Sequence, residues 1–153
     1  MLMSEKVLIM TYDYQAKSQE RNADFPISPY EWVKENIDFI FDGMEINEKM
    51  IQRRLMIGIP FYGYNVNFKE KSRNPIVNHE FIKLLKEEKG ISVQWDSQTK
   101  ECIYQVRGSS KLMDVYYPCL KFLKERLQLL DEYKIGAFVW EGGQGLDYFY
   151  EYL

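Results

Sequence analysis

Lys6-Val7-Leu8-Ile9-Met10-Thr11-Tyr12-Asp13-Tyr14 decides the fold, because an apolar run without alternation marks a strand buried on both faces, as in a parallel sheet. Its end carries Tyr12 and Asp13. Two later stretches repeat the pattern. Leu55 to Gly63 reads Leu-Met-Ile-Gly-Ile-Pro-Phe-Tyr-Gly, and Ile135 to Gly143 reads Ile-Gly-Ala-Phe-Val-Trp-Glu-Gly-Gly. Each ends in aromatics and a turn, so three parallel strands would present aromatic side chains at one rim.

Between the first two strands lies a polar loop from Gln15 to Ile27, then a helix start: Ser28 as cap, Pro29 at the first helical position and Glu31 closing a capping box. Val33, Ile37, Ile40 and Phe41 form its apolar stripe, and Asp42-Gly43 stops it. After the second strand comes an excursion over about 64 to 114. It contains a helix from Asn78 to Lys89 turning Phe81, Ile82 and Leu85 inward, and a hairpin of Ile91 to Asp96 and Glu101 to Arg107 about Ser97-Gln98-Thr99-Lys100. A third helix, from Pro118 to about Lys134, spaces Leu120, Leu123, Leu127 and Leu130 helically, and Leu146 to Leu153 reads as a short closing helix.

Strands alternating with helices predict an α/β fold with right-handed crossovers that curl towards a barrel. Three strands cannot close one, since a (β/α)₈ barrel takes about 250 residues. The expectation is a partial (β/α)₈ TIM barrel with a small α+β insertion.

With 153 residues the chain makes one domain. A net charge of -3 gives no basic footprint for nucleic acid. No run approaches the roughly 20 residues of a membrane span, and Met1 to Lys6 has no signal-peptide apolar region. Cys102 and Cys119 lack zinc or redox spacing and read as two free thiols. No metal or cofactor is implied, and His79 reads as a surface or capping residue. Of the aromatic share of 16%, with twelve tyrosines, most is expected to fill the core, and the remainder is available to line a sugar or ligand cleft.

On a parallel barrel the strand C-termini carry function. Here they supply Tyr12 and Asp13, Phe61 and Tyr62, Trp140 and Glu141. A phenol donates a hydrogen bond, a carboxylate orients a polar group, and an indole offers a flat apolar face. Together they suit an uncharged, amphipathic saccharide.

Met10-Thr11-Tyr12-Asp13 resembles the sixth-strand motif of glycoside hydrolase family 18, the chitinases and chitinase-like proteins. Gly58-Ile59-Pro60-Phe61-Tyr62-Gly63 resembles its seventh strand, Phe138-Val139-Trp140 its eighth, and Val93-Gln94-Trp95-Asp96 the hairpin of its α+β insertion. With Trp140 to Tyr150 included, the chain is most similar to the C-terminal portion of the chitinase domain-containing (stabilin-interacting chitinase-like) subgroup. The resemblance implies that Tyr12 and Asp13 contact a sugar's N-acetyl group, that Trp140 forms that sugar's floor and that Tyr62 walls the cleft. It implies an N-acetylated oligosaccharide as partner and a secreted or lysosomal parent.

In that family the N-acetyl group attacks its own anomeric carbon while a general acid protonates the leaving oxygen. The acid lies on the fourth strand, in Asp-x-x-Asp-x-Asp-x-Glu, and this chain matches from the sixth. Phe41 to Lys49 imitates that motif, but counting from Asp42 puts Lys49 at the acid position, with Glu48 one residue off. No catalytic residue is therefore expected here: the chain would bind without catalysing. The alternatives are a protein-interaction module associating through exposed strand edges, or a part of an active chitinase whose acid lies upstream.

Overall fold

A computed structural model describes residues 5–14, 25–43, 47–67, 69–70, 72–108 and 112–153. In chain order the elements are β1 (Val7–Ile9), α1 (Tyr30–Gly43), α2 (Glu48–Arg54), β2 (Leu55–Pro60), β3 (Gly63–Asn67), β4 (Ser72–Ile76), α3 (Asn78–Glu87), β5 (Ile91–Asp96), β6 (Glu101–Arg107), β7 (Leu112–Tyr116), α4 (Leu120–Tyr133) and β8 (Gly136–Trp140). A 3₁₀ turn, Asp147–Tyr152, closes the chain.

The three apolar stretches pair in parallel in the order β1-β2-β8, with Ile9 opposite Ile57 and Pro60 opposite Trp140. One face of this sheet is packed by helices: Ile57 and Ile59 join Val33 and Ile37 of α1, Ile51 of α2 and Leu123, Leu129 and Leu130 of α4 in one core. The strand period of two sends the intervening residues to the other face. There Leu8 is 53% exposed, and Phe138 packs with Tyr12. This is a partial (β/α)₈ barrel, helix-covered outside and open inside.

The excursion folds as a five-stranded antiparallel sheet, β4-β3-β7-β6-β5, with α3 between β4 and β5. The predicted hairpin forms as β5 and β6, with Asp96 opposite Glu101 across the four-residue loop. β3 and β4 were not legible, because Gly63 to Asn67 and Ser72 to Ile76 are largely polar, and β7 was not assigned either. A second cluster, with Tyr12, Phe25, Tyr62, Val66, Ile103 and Tyr116, joins this sheet to the barrel strands.

Several expectations need correction. Cys102 and Cys119 form a disulfide, not free thiols, with Cα atoms 6.2 Å apart; spacing along the chain cannot show that β6 and the start of α4 meet. Ser28 does not cap α1. Its hydroxyl donates to the Thr11 carbonyl at 2.5 Å, and the Pro29 carbonyl takes the first helical bond, from Val33 N. Ile82, Leu85 and Leu120 are exposed, whereas Phe81 is buried, because α3 and α4 meet the core along narrower stripes than their sequences offer. β1 pairs over three residues only, so Tyr12 and Asp13 lie beyond the ladder. Glu48 opens α2 behind an Asn47 cap, a short helix that the sequence reading did not assign. Residues 15–24 of the predicted polar loop and residues 44–46 of the Phe41–Lys49 stretch fall outside the described residues.

Candidate functional site

The four residues singled out from sequence converge at the C-terminal rim of the parallel sheet. Tyr12 lies against Tyr62 edge-on at 6.3 Å and under Trp140, with ring centroids 6.2 Å apart and planes 18° from parallel. Tyr62 Oη donates to Asp13 Oδ1 at 2.5 Å. Phe61, on the helix-side parity of the strand, instead enters the core against Phe149. Glu141 is exposed and accepts from Gln144 Nε2.

Backbone geometry places these side chains. Gly58 lies beneath Tyr12 and Phe138: a Cβ there would stand 2.6 Å from Tyr12 Cε1 and 2.8 Å from Phe138 Cζ. Asp13 takes φ of 60°, a left-handed conformation that Asp tolerates better than most residues and that concentrates at functional sites. Trp140 is fixed from the far side. Phe61 N donates to its carbonyl at 2.7 Å, and Asn78 at the start of α3 donates through Nδ2 to the carbonyls of Gly143 and Gly145.

Tyr64 was missed by the sequence reading. Its Oη also donates to Asp13 Oδ1, at 3.0 Å, so the carboxylate is held by two phenols. The signal was available in the spacing, since Tyr62 and Tyr64 share one side of an extended chain. Desolvation, then the bond to Asp13, holds Tyr62 protonated far above the usual tyrosine range and pushes Tyr64 up to about 12. Both therefore stay donors at neutral pH. Burial, then the neighbouring Asp13 charge, also raises Tyr12. Among the described residues its buried Oη has no hydrogen-bond partner, at a cost of about 1 to 3 kcal/mol.

A buried polar chain anchors the Tyr12-Asp13 segment from behind. Thr11 Oγ1 donates to the Gly58 carbonyl, and Tyr14 N donates to the Ile27 carbonyl. Ile27 N and Ser28 N both donate to Glu101, at 2.9 and 2.6 Å. Glu101 is 3% exposed and Arg126 of α4 2% exposed. Arg126 Nη2 donates to the Ser28 and Thr99 carbonyls, and its charge faces Glu101. Burial outweighs the two amides and that guanidinium, with Asp96 adding to the rise, and pushes the Glu101 carboxyl up to about 7. The folded state then holds this proton more tightly than the unfolded chain, whose carboxyl titrates near 4.5. Stabilisation present below that value is lost as pH climbs through 7. At about 1.4 kcal/mol per unit, the loss should reach at most about 3 kcal/mol. Urea unfolding across pH 4.5 to 7 checks this, and Glu101→Gln should flatten the slope; an unchanged slope would refute it.

No family model matches the sequence. Solved structures do match the fold. The spore cortex-lytic enzyme SleL of Bacillus cereus aligns over 93% of this chain at 20% identity with a TM-score of 0.73. The chitinase of Chromobacterium violaceum ATCC 12472 aligns over 97% at 16% identity with a TM-score of 0.69. Human YKL-39, described as a pseudo-chitinase with retained chitooligosaccharide binding properties, aligns over 89% at 15% identity with a TM-score of 0.69. These matches cover 33%, 44% and 43% of the respective chains, so this chain spans less than half the length of each. The likeness is one of fold, to chitinases and chitinase-like proteins.

Proposed function

We propose that this chain contributes one side of a cleft for chitin or N-acetylglucosamine oligosaccharides, of the glycoside hydrolase family 18 kind, and does not hydrolyse them by itself. One observation carries the reading: Trp140, 49% exposed, lies nearly parallel to Tyr12 beside a carboxylate that two phenols orient. A flat apolar face next to a fixed acceptor is what an amphipathic neutral sugar requires. The fold likeness to a chitooligosaccharide-binding pseudo-chitinase supports it.

On this reading Trp140 is the floor beneath the sugar, Tyr12 and Asp13 meet its N-acetyl group, and Tyr62 forms the wall. The general acid belongs to a strand preceding β1. The chain is then the C-terminal part of a barrel, 1–153, with the insertion at about 64–114. Its motifs favour the chitinase domain-containing subgroup, with a secreted or lysosomal parent. The Cys102–Cys119 bridge suits such an oxidising compartment.

Titration with chito-oligosaccharides, followed by tryptophan fluorescence, should saturate. Trp140→Ala should weaken binding at least tenfold, the scale of losing a buried aromatic anchor. A flat titration with a folded sample would sink the cleft, and turnover of a fluorogenic chitobioside by the purified chain would sink the non-catalytic half.

A second reading, a protein-interaction module, draws on the open sheet. Among the described residues β1 and β8 each pair only with β2, and Leu8 and Met10, 68% exposed, lie at an edge where parallel sheets are normally covered. Concentration-dependent size exclusion separates the two, since an associating module elutes earlier as concentration rises.

A further inference from the structure

Tyr64 carries the antiparallel sheet into the candidate site, bonding Asp13 through its hydroxyl. β2 runs on through Tyr62 and Gly63 into β3, and the two-residue period puts Tyr64 on the same side as Tyr62. Their rings meet at 5.9 Å, and Phe25 backs Tyr64 edge-on at 5.3 Å. Both hydroxyls converge on Asp13 Oδ1. A carboxylate held by two donors on one oxygen loses its freedom to rotate and directs the other oxygen away from them. The two bonds also draw charge out of the carboxylate, because hydrogen bonds to an ionised acceptor are strong and polarising. The left-handed backbone at Asp13 is a conformation that persists only where surroundings over-determine it, and this pair of phenols helps to do so.

We infer that Tyr64 is a specificity-determining positioning residue: by sharing Asp13 Oδ1 with Tyr62 it orients the carboxylate and tempers its charge, so that the site prefers a neutral acetamido group to the ammonium of a deacetylated amino sugar. This rests on the saccharide reading above and deepens it. A bare carboxylate attracts an ammonium strongly at short range; one already satisfied by two phenols gives up part of that attraction while its orientation for an amide N–H improves.

Tyr64→Phe keeps the ring against Phe25 and removes only the hydroxyl. The full chain and this variant are titrated with the N-acetylglucosamine tetramer and with the fully deacetylated glucosamine tetramer, using tryptophan fluorescence with circular dichroism as a folding check. The acetylated-to-deacetylated affinity ratio should fall about tenfold or more, the scale of one charge-assisted hydrogen bond. Asp13→Asn, which keeps the shape and removes the charge, should move the ratio the opposite way, and Tyr64→Leu, which also lacks the hydroxyl, stands in with the same expected fall if Tyr64→Phe does not fold. An unmoved ratio, or an equal loss for both ligands, overturns the inference and leaves the saccharide reading standing. A folded wild type that binds neither ligand overturns both.

Discussion

Gly63→Ala should cost the fold about 4 kcal/mol or more, while Gly58→Ala, five residues earlier on the same chain path, should cost far less and strike the site instead. The difference lies in what each new methyl would meet. At Gly63 a Cβ would overlap the Tyr116 carbonyl oxygen and stand 2.7 Å from Tyr117 Cδ2. Tyr116 is backbone-paired to Tyr64 on one side and to Ile103 on the other, so that carbonyl cannot step aside without parting three strands. Overpacking a core ordinarily costs about 1 to 3 kcal/mol, and an immovable partner puts this case above that range. Against a total stability of roughly 5 to 15 kcal/mol, the loss is decisive. At Gly58 the obstacles are ring atoms of Tyr12 and Phe138, which can rotate. Urea midpoints should separate the two variants, and saccharide titration should reverse their order, with Gly58→Ala folded but impaired. Equal midpoints would refute the account.

This contrast shows why the Gly58-to-Gly63 motif reads as it does. Gly58 makes room for the site's central ring, and Gly63 lets the antiparallel sheet close on the end of β2. Neither reason is visible in sequence, where each glycine looks like a strand interruption. The barrel half was legible, because burial on both faces writes itself as an unbroken apolar run, and all three runs became adjacent parallel strands. The rim was legible too, since residues following those runs must share one end of the sheet. The antiparallel sheet was legible only at its hairpin. β3 and β4 draw their stability from cross-strand partners, such as Tyr64 with Tyr116, and not from an alternating pattern of their own. For the same reason Tyr64 went unassigned: its importance comes from Asp13, 51 residues away. Ser28 misled by local chemistry, because its hydroxyl donates to the distant Thr11 carbonyl instead of accepting from a nearby helix N–H.

Reducing the Cys102–Cys119 bridge, or replacing both cysteines with serine, should lower stability by about 3 kcal/mol. The bridge closes a loop of 17 residues, and loop-closure entropy removed from the unfolded chain accounts for about that amount at this length. For a chain of this size the loss corresponds to a fall in Tm of roughly 6 to 12 °C. The consequence should extend to the site, because the bridge joins β6 to the start of α4 at the place where the two pull on one segment. Glu101, beside Cys102, accepts the amides of Ile27 and Ser28, and Arg126 of α4 binds the Ser28 carbonyl. Ser28 in turn holds Thr11, the residue before Tyr12. A reduced protein should therefore bind chito-oligosaccharides more weakly than its lowered Tm alone explains, even at temperatures where it remains folded. Thiol titration of the native chain should find none free until denatured with reductant, and melts with and without reductant should differ by the stated shift. Coincident melts, or full thiol reactivity in the native chain, would refute the bridge as a stabilising tie between β6 and α4.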